Sequence, residues 1–179
     1  MTFSANANPD VTPVDGSTTG LRNPWGRAAL LDLVSSNLDA EALICDFLNL
    51  CEVWDDCIDR EHKESAGAIH RAFEWALFGL SGNAFYTSHP ELASAMRVCI
   101  ANWKASIALE GSLEIEHLHT AYTLRCSPYD FFVAVVLAAS GPQAADRAAM
   151  MFRGQLTTDS MAGYINEHTK GVHHGMVRQ

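Results

Sequence analysis

Basic residues are scarce in this chain. Twelve Lys and Arg stand against 21 Asp and Glu, giving a formal charge of −9, and the few cations are scattered. A protein that grips a phosphate backbone presents a basic face, so bulk charge argues against nucleic acid as a partner. Long apolar runs are also lacking. The longest, Phe131 to Ala139, falls far short of the roughly 20 residues a membrane-spanning helix needs. The N-terminus has no basic stretch followed by an apolar one, so secretion by a signal peptide is not expected. The five cysteines include no Cys-x-x-Cys pair. Their odd number, and the placing of Cys45, Cys51 and Cys57 within an apolar helical pattern, read as reduced thiols in a cytosolic protein. Clean apolar/polar alternation, Asn-Gly hairpin signals, a Walker loop, a dinucleotide fingerprint and a Ser-His-Asp order are all missing.

What remains is a composition for folding. Of 179 residues, 48% are hydrophobic and 18% charged, the balance of one globular domain large enough to bury a core. Residues 1–22 are rich in Asn, Asp, Pro, Ser, Thr and Gly and read as an N-terminal arm, with Val11, Val14 and Leu21 as the side chains able to anchor it on a neighbour. The domain is expected over 23–170 and a polar tail over 171–179, where His173 and His174 follow His168.

Within the domain the apolar residues recur at helical spacing. Asn23-Pro24 reads as a cap and first helical position. A second helix is expected from about Asp39, acting as its cap, to Asp59, burying Leu43, Phe47, Leu50, Cys51, Trp54 and Ile58. A third opens at Ser65 with Ile69, Ala72, Phe73, Ala76, Leu77 and Leu80 as its inner stripe. Ser81-Gly82-Asn83 stops it, and 84–88 reads as a loop. Pro90 opens a helix carrying Leu92, Met96, Cys99, Ile100, Trp103 and Ile107, and Gly111 closes it. Ser112 is expected to cap the next, with Ile115, Leu118, Ala121, Tyr122 and Leu124. Ser127-Pro128-Tyr129-Asp130 starts a helix apolar all round, expected at the centre. Gly141-Pro142 separates it from an Ala-rich helix through Phe152, and a last helix carries Met161, Tyr164 and Ile165. The fold expected is all-α, an irregular bundle of about seven helices with an extended N-terminal arm.

The feature with chemical potential lies on the second helix. Glu52, Asp55, Asp56 and Asp59 sit at i, i+3, i+4 and i+7, so the four carboxylates share one arc of the surface and repel one another. Water tolerates such a face. A hard divalent cation such as Mg²⁺ would neutralise it through oxygen ligands. Aspartate-rich helices of this sort resemble those of isoprenoid synthases and all-α nucleotide pyrophosphatases. Those enzymes bring a second acidic helix, for which this chain has no match: Glu114 and Glu116 are too far apart around their helix. Arg125, at the end of His117-Leu118-His119-Thr120-Ala121-Tyr122-Thr123-Leu124, either pairs with these acids or receives a phosphate.

A second resemblance spans about residues 40 to 168. Val53-Trp54-Asp55-Asp56-Cys57-Ile58-Asp59, Asn83-Ala84-Phe85-Tyr86, Asn102-Trp103 and His119-Thr120-Ala121-Tyr122-Thr123-Leu124-Arg125-Cys126-Ser127 together resemble small all-helical proteins of tailed bacteriophages. The likeness implies a phage source and a place in the host cytoplasm or the virion, and it transfers no catalytic residue. Two functions are therefore expected. One is a non-enzymatic helical component of a phage particle or phage-encoded complex, without cofactor, acting through a protein partner or as a homo-oligomer. The other is an Mg²⁺-dependent enzyme on a phosphorylated small molecule, with Glu52, Asp55, Asp56 and Asp59 as ligands and Arg125 on the phosphate.

Overall fold

The computed structural model describes residues 25–59, 65–112, 114–154 and 160–175, with backbone alone at 59 and 170–175. The arm residues Val11, Val14 and Leu21 lie outside the described residues. All regular structure is helical, and no strand occurs among the described residues. The elements are α1 (Arg27–Leu33), α2 (Leu38–Asp59), α3 (Ala66–Glu74), α4 (Leu80–Gly82), α5 (Ala84–Ser88), α6 (Glu91–Glu110), α7 (Ile115–Leu124), α8 (Ser127–Ser140), α9 (Pro142–Gly154) and α10 (Met161–Gly175). A π-helical turn, Trp75–Gly79, joins α3 to α4 without a break, making one continuous helix over 66–82. α10 runs through the boundary drawn at 170 from composition.

The helix ends show how the chain punctuates itself. Ser65 caps α3 as expected, its Oγ accepting the Ala68 N–H at 3.1 Å. At α2 the cap is Asn37, which accepts the Ala40 N–H at 3.0 Å, and not Asp39. Ser112 does not cap α7: its hydroxyl donates back to the Leu109 carbonyl at 2.9 Å and so closes α6, while Glu114 occupies the cap position. The expected loop at 84–88 is a helix. Asn83 accepts the Tyr86 N–H at 2.8 Å and donates to the Asp39 carbonyl at 2.8 Å, so the residue that stops one helix starts the next and pins both to α2.

α8 occupies the centre. Phe131, Phe132, Val135 and Val136 are fully buried, against Leu43, Ile44 and Phe47 of α2, Leu92, Met96, Cys99 and Trp103 of α6, and Ala144, Ala148 and Phe152 of α9. Phe47 and Phe131 stand 4.7 Å apart between ring centroids, and Trp25, ahead of α1, closes the far side 4.7 Å from Phe152. The centre is not enclosed all round, because Leu137 faces out. Ser127, buried at the start of α8, donates to the Cys99 carbonyl of α6 at 3.2 Å. Burial also pushes the Cys99 thiol up to about 11, with Ser127 partly opposing and Asp130 adding to the rise. Leu43, Phe47 and Cys51 of the expected α2 stripe are buried, whereas Ile58, one turn beyond Trp54, is exposed.

The largest departure lies in the 66–82 helix. Spacing places its big apolar residues Ile69, Phe73 and Leu77 inside, yet they are exposed, and Phe78 joins them. Of the expected stripe Ala72 is buried, and with Ala68 it packs on Val53 of α2 to make the inner face. Small residues let two helix backbones approach closely, so that face is narrow and leaves the large side chains outside. The π turn adds a residue to the helical period and rotates the last turn of the helix, so that Leu80 rather than Leu77 reaches the core. Trp75 stays half-buried against Phe47.

Candidate functional site

Of the four acids of the α2 stripe, the side chains of Glu52, Asp55 and Asp56 are described. Glu52 is exposed, Asp55 and Asp56 are half-buried, and no group of three or more His, Cys, Asp or Glu side chains placed to hold a metal ion occurs among the described residues. The side chain of Asp59 lies outside the description. Asp55 is engaged by Arg125, whose Nη2 donates to both carboxylate oxygens at 2.7 Å.

Arg125 is the hub of a polar cluster that ties four helices. It follows the last turn of α7, where a cation suits the negative end of the helix dipole. Its Nη1 donates at 2.9 Å to Oε1 of Glu110, the last residue of α6. Tyr164 of α10 donates its hydroxyl to the same Glu110 oxygen, and His168 Nε2 stands 4.0 Å from the other. The guanidinium also lies 5.9 Å from the Trp103 ring centroid and 5.7 Å from that of Tyr164, within cation–π range. Trp54 stacks on Trp103 at 6.0 Å and covers the cluster from the α2 side. The buried Trp103 indole N–H has no hydrogen-bond partner among the described residues.

The charges explain one another. Burial works to deprotonate Arg125, but Asp55, Glu110 and Tyr164 outweigh it and hold the guanidinium charged beyond its ordinary range. Burial, followed by the hydrogen bond to Glu110, pushes the Tyr164 hydroxyl up, so it remains a donor at any physiological pH. The arrangement is a satisfied ion-pair network. A phosphate approaching either Nη group would have to compete with Asp55 or Glu110 for it.

Of the site residues singled out by sequence, Asp55 and Arg125 come together here. His119 and Thr123 point outward from α7. Glu110, Tyr164 and His168 were not anticipated as partners. Glu110 carried a legible signal: an acid on the last turn of a helix sits against the negative pole of the dipole and calls for a cation nearby.

Comparison with family models, with curated proteins and with solved structures found no match to this chain.

Proposed function

We propose that this protein is a non-enzymatic helical subunit of a phage-encoded particle or complex, working through protein–protein contacts. One observation carries the reading: the continuous helix over 66–82 sets small residues against its own domain and turns Ile69, Phe73, Leu77 and Phe78 to solvent. Leaving such side chains in water is unfavourable, and contiguous apolar surface of this kind marks interaction sites on folded proteins. The phage assignment rests on the sequence resemblance alone. Residues 1–22 would supply a second contact element through Val11, Val14 and Leu21. The Mg²⁺-dependent alternative draws less support, because Asp55 and Arg125, the proposed ligand and the proposed phosphate receptor, engage each other.

The test is fractionation of phage-infected cells and purified particles, followed by mass spectrometry, beside a calorimetric Mn²⁺ titration of the pure chain. The expected result is recovery in a particle or a high-mass complex. Recovery only as a free 19.5 kDa chain, with saturable Mn²⁺ binding abolished in Asp55→Asn/Asp56→Asn, would overturn the reading and restore the enzyme.

A further inference from the structure

We propose that the outer face of the 66–82 helix binds a second copy of this chain, with the two helices antiparallel about a two-fold axis. The inference rests on the protein-contact reading above and names its partner. Ile69, Phe73, Leu77 and Phe78 are 41%, 66%, 57% and 71% exposed, a run of large apolar side chains along one helix. At roughly 150–250 Å² for a whole aromatic side chain, with aliphatic ones somewhat smaller, they leave on the order of 400–500 Å² of apolar surface in water. Burying that patch on each of two copies gives roughly 900 Å², close to the lower bound of about 1,000–1,200 Å² for specific interfaces once flanking groups are added. That area fits a reversible dimer in which both halves are the same patch.

Charge selects the occupant. The chain carries −9, and two such bodies repel at long range, yet within 66–82 the only Lys, Arg, Asp or Glu residues are Arg71 and Glu74, which cancel. The patch is thus a neutral window in an acidic surface. An anionic bilayer or a nucleic acid would require a basic rim, which this helix lacks. On the flank of the apolar stripe His70 and Glu74 lie one turn apart, both exposed. In the register whose two-fold lies level with Ala72, His70 of each copy comes opposite Glu74 of the other, so the one contact is made twice. The π turn contributes by placing Leu77 and Phe78 together at the outer edge while Trp75 remains on the body.

Sedimentation velocity of the full chain over a wide concentration range, with far-UV circular dichroism as the folding control, tests this. The wild type is expected to shift from 19.5 kDa toward twice that mass as concentration rises. Phe73→Asp/Phe78→Asp should stay monomeric with unchanged helicity, since neither residue is in the core. His70→Glu, which sets Glu against Glu across the two-fold, should weaken the dimer severalfold, and adding Glu74→Lys should restore it. A wild type that remains monomeric throughout overturns the proposal, as does a dimer indifferent to Phe73→Asp/Phe78→Asp. So does a monomer that instead co-floats with neutral or anionic vesicles. These results differ from failure of the wider reading, which appears as Mn²⁺ binding at the α2 acids and a lone chain in infected cells.

Discussion

Arg125 shows how a single side chain is fixed by groups that would otherwise be unpaired. It joins carboxylates 70 and 15 residues away in sequence, and with side-chain exposures of 24% for Arg125, 30% for Asp55 and 12% for Glu110 the cluster is shielded without being dry. A fully buried ion pair loses about 3–5 kcal/mol when one partner is removed, and an exposed pair loses about 1 or less. Arg125→Met should therefore lower unfolding stability by about 1–3 kcal/mol, because Asp55 and Glu110 are left facing each other without their cation. Arg125→Lys should recover only part of the loss, since one ammonium lacks the planar fork that spans both carboxylates. Urea denaturation of the two variants is the measurement, and a loss in Arg125→Met under about 0.5 kcal/mol would show the network to be solvated surface.

Element limits were legible where caps and prolines punctuate the chain, and inner faces less evenly. α6 buries Leu92, Met96, Cys99 and Trp103 as its spacing indicates while Ile100 of the same stripe is exposed, and the Ser-Pro and Gly-Pro signals set the limits of α8 to within a residue. The 66–82 segment is legible as a helix and Ala72 and Leu80 of its expected stripe face inward, but Ile69, Phe73 and Leu77 do not. Periodicity reports where the large apolar residues lie, and by itself does not say whether they meet the same chain, another chain or water. Here Ala68 and Ala72 meet Val53 of α2, and their small side chains allow the close approach. The π turn was illegible, since it depends on Trp75 lying against its own helix at Gly79, where an added Cβ would come within 2.4 Å of Trp75 Cδ1. Gly→Ala in a helix interior ordinarily stabilises by about 0.5–1 kcal/mol. Gly79→Ala should do the reverse and lower the melting temperature, with a change in tryptophan fluorescence as Trp75 is displaced. A raised melting temperature with unchanged fluorescence would mean that the indole moves aside at no cost.

Among the described residues, stability is divided between a main core and two satellite clusters, one where α3 meets α2 and one where α10 meets α7, and the apolar positions of the last were legible while its docking was not. The run Phe131 to Ala139 marked the centre by its hydrophobicity, whereas the docking of α10 depends on Glu110, Arg125 and Tyr164 meeting from three places in the chain, which no local pattern encodes. The main core knits α1, α2, α6, α8 and α9 through fully buried aromatic and aliphatic groups. α10 attaches through a smaller cluster, Leu118, Ala121 and Tyr164 with Leu109, Tyr122 and Ile165 against it, held at its polar edge by the Tyr164 hydroxyl on Glu110. Fewer buried apolar contacts mean a lower free energy of local opening. Native-state hydrogen exchange should accordingly find α10 amides opening well before those of α8. Tyr164→Phe removes one hydrogen bond to a charged acceptor, about 1–2 kcal/mol, and should speed α10 exchange roughly five- to thirty-fold while leaving α8 unchanged. If α8 amides accelerate by the same factor, α10 belongs to the global folding unit and the division into core and satellite is wrong.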